Sequence, residues 1–103
     1  MRTTQVVAGR TANVDTTALK QRLDRFDGSE PERRAVARQA RDLADSGVFE
    51  RDEGYQLTAA VVLDQLADAP DGGPADRWNW WLGSLEVVHG AYSRFQVERW
   101  QEA

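Results

Sequence analysis

Few groups in this sequence are able to carry covalent chemistry. It has one histidine, His89, and no cysteine, which removes disulfides, thiolate metal sites and a cysteine nucleophile together. A single imidazole gives a His-based triad one candidate base and leaves zinc without its usual ligand set. His89 stands near Val88 and Tyr92, beside an apolar stripe, where an imidazole is ordinarily packed or hydrogen-bonded. Ser84, Ser93 and the carboxylates show no spacing that sets a nucleophile, or a second carboxylate, against a base. The loop Pro70-Asp71-Gly72-Gly73-Pro74 lacks the Gly-x-x-x-x-Gly-Lys signature of a nucleotide cradle. The expectation is a non-enzymatic protein with no metal, no cofactor and no small-molecule ligand.

Binding chemistry is concentrated in two places. In the first, Arg34, Arg38 and Arg41 recur at i, i+4 and i+7, opposite Val36, Ala40 and Leu43. Guanidinium groups along one helix face can contact phosphates or guanine edges. Glu30, Asp42 and Asp45, however, stand four residues from Arg34, Arg38 and Arg41. Such spacings make intrahelical pairs of about 0.2–0.5 kcal/mol each, as on any solvated face. Both readings stay open at this point.

The second place is Trp78-Asn79-Trp80-Trp81, three tryptophans within four residues. They cannot share one helix face. With Trp78 and Trp81 turned inward, Trp80 points elsewhere, on the side of Val87 and Ala91. The helix is then apolar over more than half its circumference, as a helix covered on two sides would be. Gly83 and Gly90 are seven residues apart, at one heptad position where a second helix can approach. Trp80, Gly83, Val87, Gly90 and Ala91 are therefore the expected interface of a homodimer formed through residues 75–97. The alternative is a central core pillar with no partner.

The elements that must position these groups are well punctuated. Residues 3–8 read as a short strand. Asp15 caps a first helix, with Val14 stapled to Leu19 and with Leu19, Leu23 and Phe26 inward; Gly28 ends it. Ser29 and Glu32 have capping-box spacing at the start of a second helix, which Gly47 stops. Residues 48–57, around Asp52-Glu53-Gly54, read as a β-hairpin. Thr58 caps a third helix, with Leu57 and Val62 as its staple. In the tail, Trp78, Trp81, Leu85, Val88, Tyr92 and Phe95 step by 3 and 4, which predicts a continuous or kinked helix. A strand over residues 92–100 is the alternative.

The stretch from Val36 to Thr58 resembles the recognition helix and wing of winged-helix regulators. Its amphipathic helix ends at Gly47, Val48-Phe49-Glu50-Arg51 follows, and Tyr55-Gln56-Leu57-Thr58 returns after a glycine turn. The resemblance covers about 23 residues and implies double-stranded DNA as the partner. Arg33, Arg34, Arg38 and Arg41 on the helix and Arg51 on the hairpin are the residues it would use. The helix expected before this pair has a strand in its place.

At 103 residues the chain is expected to be one domain. Within it, residues 1–69 form the winged-helix-like part, 70–74 a loop, and 75–103 a helical tail. The expected fold class is α+β, mostly helical, with a small sheet. Net charge is −4 at pH 7, from seventeen acids against twelve arginines and Lys20 alone. Lysine poverty, with no isoleucine, fits either a GC-rich genome or adaptation to high salt, so the sign of the net charge decides little about partners. No apolar run approaches the roughly 18 residues of a membrane span, and the first ten residues are too polar for a signal peptide. A cytoplasmic location is expected. The leading expectation is a DNA-binding regulator; its rival is a protein-interaction module that uses the tryptophan helix as its surface.

Overall fold

The computed structural model describes residues 14–98, and every regular element among them is helical. Five α-helices follow in order: α1 (Thr16–Arg22), α2 (Glu30–Ser46), α3 (Val48–Glu53), α4 (Ala59–Ala67) and α5 (Pro74–His89). Short 3₁₀ turns, Leu23–Phe26 and Ser93–Phe95, extend α1 and follow α5. This corrects the α+β expectation: the described residues contain no strand. The strand expected at residues 3–8 lies outside the described residues.

The largest correction is at residues 48–57. Gly47 and Gly54 both adopt left-handed conformations, at φ 78° and 85°, but as the caps at either end of α3 rather than as a hairpin turn. Period-two and period-3.6 patterns cannot be told apart over so few residues. Glu50 and Arg51 are good helix formers, and only Phe49 within α3 is buried. An isolated two-stranded hairpin is marginal in water, whereas a single helical turn over the core buries Phe49 with no pairing partner. The wing of the winged-helix resemblance is therefore absent.

The expected caps are present. The Asp15 carboxylate accepts from the amides of Thr17 and Ala18 at 3.1 and 3.2 Å. Ser29 Oγ accepts from the Glu32 amide at 3.2 Å, and Thr58 Oγ1 accepts from the Val61 amide at 3.2 Å. The core follows the predicted stripes: Leu19 and Leu23 from α1; Val36, Ala40 and Leu43 from α2; Val62 and Leu66 from α4. All of the buried residues in this core are hydrophobic.

Two long-range contacts set the position of α5. Gly73, its N-cap, has no side chain, so the Glu32 carboxylate from α2 accepts from the Ala75 amide at 2.9 Å. A negative charge there also suits the positive end of the helix dipole. Arg77 donates to the carbonyls of Leu66, Ala69 and Gly72 at 3.0, 3.2 and 2.6 Å, closing the end of α4. Its guanidinium also lies 4.7 Å over the Phe26 ring. Gly28 must be small for the same junction, since a Cβ there would come within 2.7 Å of Pro74 Cδ.

The tail departs from the expected helix. α5 stops at His89, after which Gly90 and Ala91 both have positive φ, 79° and 67°. The 3-and-4 stepping fails at Val88, which is 73% exposed, while Tyr92 and Phe95 reach the core from beyond the helix end. The glycine that looked like a heptad position is the helix terminator.

Candidate functional site

The tryptophan motif lies in the first half of α5, and three of its four residues are engaged within the fold. Trp78 is fully buried, and its indole N–H donates to the Phe95 carbonyl at 2.9 Å. Asn79 holds both backbone groups of Val97: its amide nitrogen donates to the carbonyl at 2.7 Å and its oxygen accepts from the N–H at 2.8 Å. Trp81 packs edge-on against Trp78 and Phe49, each with ring centroids 5.7 Å away. Trp78 and Asn79 thus fasten the segment 95–97 to the helix, and Trp81 joins α5 to α3.

Trp80 is the exception. It is 42% exposed, and its ring has no hydrogen-bond or aromatic partner among the described residues. Val87, one heptad further along the same face, is 86% exposed. Gly83 lies between them, and a Cβ placed on it would meet nothing within 4 Å among the described residues. Of the five expected interface residues, the structure therefore brings Trp80, Gly83 and Val87 together on one outer face. Gly90 and Ala91 lie past the end of the helix.

The end of α5 carries a polar cluster that the sequence reading did not assemble. The Glu86 carboxylate accepts from the amides of Tyr92 and Ser93 at 2.6 and 2.8 Å. These two bonds hold its carboxyl below the usual carboxylate range. Tyr92 is buried, and its hydroxyl donates to Asp52 at 3.0 Å. Burial pushes that phenol well above its ordinary value, and the Asp52 carboxylate adds to the effect. Asp52 itself is held low, mainly by its hydrogen bond from Arg51. His89 Nε2 stands 2.8 Å from Glu53 Oε2, which ties α5 to α3. Asn79 was equally missed, although it left a signal: a poor helix former on a mostly apolar helix needs a hydrogen-bonding reason to be there.

The expected DNA-facing arginines divide. Arg34, Arg38 and Arg41 line one groove of about 310 Å³ between α1 and α2, with Lys20, Asp42 and Asp45. Lys20 and Arg34 both pair with Glu30, at 3.1 and 3.4 Å, and Arg41 pairs with Asp45 at 3.7 Å. The hydrogen bond from Lys20 lowers the Glu30 carboxyl. Among these cations Arg38 alone has no ion pair within the described residues. Arg33 and Arg51 do not line the groove: Arg33 donates to the Gly28 carbonyl, and Arg51 pairs with Asp52 at 3.0 Å.

Over the described residues, fold and site define a small helical domain built around a tryptophan-bearing helix. The chain belongs to the WNWW domain family, whose model matches residues 1–86. The family's description spells out residues 78–81 of this chain. No curated protein and no solved structure matches the chain. No helix among the described residues is long and apolar enough to cross a membrane.

Proposed function

We propose that this chain is a non-enzymatic, cytoplasmic protein–protein interaction module whose binding surface is the outer face of α5, centred on Trp80. One observation carries this reading. Trp78, Asn79 and Trp81 have work inside the fold, while Trp80 stands 42% exposed beside exposed Val87. A tryptophan is among the residues that dominate binding energy when a partner covers it. Beside exposed Val87, Trp80 forms a small apolar strip that a partner could cover. The DNA reading draws less support, because carboxylates lie among the groove cations and the wing is replaced by α3.

A paired experiment separates the two. Tagged wild-type protein and Trp80→Ser are each used to capture partners from their native extract, including a differently tagged copy of the chain. In parallel, duplex DNA is titrated in a mobility-shift assay. The module predicts a stoichiometric partner lost in Trp80→Ser and no specific duplex shift. A duplex shift that survives Trp80→Ser and disappears when Arg34, Arg38 and Arg41 become Ala would overturn it.

A further inference from the structure

The α5 surface just proposed has an internal symmetry that names its occupant, and the inference below rests on that reading. Trp80, Gly83, Ser84 and Val87 fall within little more than a quarter of the helix circumference. In order they are large, small, small, large, and the midpoint lies between Gly83 and Ser84. A stripe with this pattern reads the same turned end for end, so two copies set small against small where the helices cross and large against large where they diverge. Turned so, Trp80 of one copy meets Val87 of the other, and the two smallest residues meet at the crossing.

Two observations favour a second copy. Among the described residues nothing requires a glycine at Gly83, since a Cβ there has open space. Mid-helix glycine costs about 1 kcal/mol against alanine, and a helix crossing closely at this point gives it a purpose. The face also carries little charge. Arg77 and Glu86, which flank the stripe, are used internally, on three carbonyls and two amides, and Asp76, one turn before Trp80 on the same side, is exposed. A basic partner would find only that single carboxylate to pair with. A second copy turned end for end sets the two Asp76 carboxylates roughly 22 Å apart along the helix axis, at opposite ends of the contact.

The size of the patch sets the strength. Trp80, Val87 and Val88 are 42%, 86% and 73% exposed. Together they present on the order of 300 Å² of apolar surface, the lower end of the largest patch on an ordinary monomer. A standard interface buries about 800 Å² per partner. The contact is therefore a weak, concentration-dependent one.

We infer that the chain forms a twofold homodimer in which α5 packs antiparallel on α5 of a second copy, with the axis passing between Gly83 and Ser84. A twofold contact of this kind closes on itself and leaves no open end.

The test uses the full chain, and its lack of cysteine means that an introduced thiol reports alone. Sedimentation of the wild type up to ~0.5 mM should show a reversible monomer–dimer equilibrium in the micromolar range. Gly83→Ala should raise the melting temperature at low concentration, through helix propensity, yet weaken the dimer roughly tenfold by blocking the close crossing. A structural role alone would move only the first of these. Trp80→Ser should weaken association by roughly thirtyfold or more. Under mild oxidation Ser84→Cys, beside the axis, should cross-link, and Val87→Cys should not, because its own copy lies about two helical turns away. Equal cross-linking by both means parallel helices and overturns the antiparallel arrangement. A wild type that stays monomeric while Trp80 still governs capture of another protein overturns self-pairing and leaves the α5 surface standing. A dimer indifferent to both Trp80→Ser and Gly83→Ala overturns the inference and the surface with it.

Discussion

Asn79 and Glu86 are the two side chains that fold the tail back onto α5, and each does so by pairing with backbone. Asn79 presents one donor and one acceptor to Val97, as a neighbouring strand would. Asn79→Asp keeps the acceptor but sets a carboxylate oxygen against the Val97 carbonyl. The expected loss is about 1–3 kcal/mol in chemical denaturation, the cost of an unsatisfied polar group. That loss should shrink at acidic pH, where the new carboxyl protonates and donates again. Glu86 has its own pH signature. Its carboxyl is depressed in the folded protein by the Tyr92 and Ser93 amides, so its contribution is complete at neutral pH. The contribution is lost as pH falls from the ordinary carboxylate range near ~4 through the folded value. Melting temperatures of Glu86→Gln should accordingly be lower than wild type at pH 7 and depend less on pH under acid conditions. Parallel pH curves for the two proteins would mean that the bonds to residues 92 and 93 contribute nothing.

At the scale of elements, α3 shows what sequence pattern resolves and what it does not. The caps of α1, α2 and α4 were legible because Asp15, Ser29 and Thr58 each offer a side-chain acceptor at fixed distance from the amides that need one. The core stripes were legible because Val36, Ala40 and Leu43 repeat over enough turns to establish a period. Residues 48–53 are too few for that, and flanking glycines mark a turn and a left-handed helix cap equally well. The tail was misread for a related reason. Val88 satisfies the 3-and-4 stepping, yet the core is reached instead by Tyr92 after a chain reversal at Gly90 and Ala91. On the site, periodicity separated Trp80 from its two neighbours, but it could not show that Asn79 and Trp78 both reach the 95–97 backbone. Gly54 gives an independent check of α3. It holds φ 85° with open space around it, so Gly54→Val should cost roughly 1–2 kcal/mol from the backbone alone. Gly54→Asn should recover part of this loss, since asparagine tolerates the left-handed region. Thermal melts of the two variants compare these costs directly.

Over the whole molecule, charge and apolar surface act in opposite directions on association. Each chain carries −4, so in the proposed dimer two copies repel at a distance and attract through the apolar part of their α5 faces on contact. Added salt screens the repulsion and leaves the apolar contact in place. The dimer should therefore tighten between low and moderate ionic strength, as sedimentation would show. Assembly through the Lys20, Arg34, Arg38 and Arg41 groove onto an acidic partner would weaken instead. In the proposed dimer, the charge of the chain keeps the contact reversible.

The claim that Trp80 is an interaction surface, and not a loosely packed core residue, is tested most directly by its indole N–H signal in a nitrogen-15-labelled sample. The chain has four tryptophans, and Trp80→Ser assigns the signal by its disappearance. On raising the concentration from ~20 µM to ~1 mM, across the micromolar range of a weak dimer, the Trp80 indole should shift progressively. Those of buried Trp78 and Trp81 should stay in place. A Trp80 signal that remains fixed while the protein associates, or while a captured partner binds, would contradict the account.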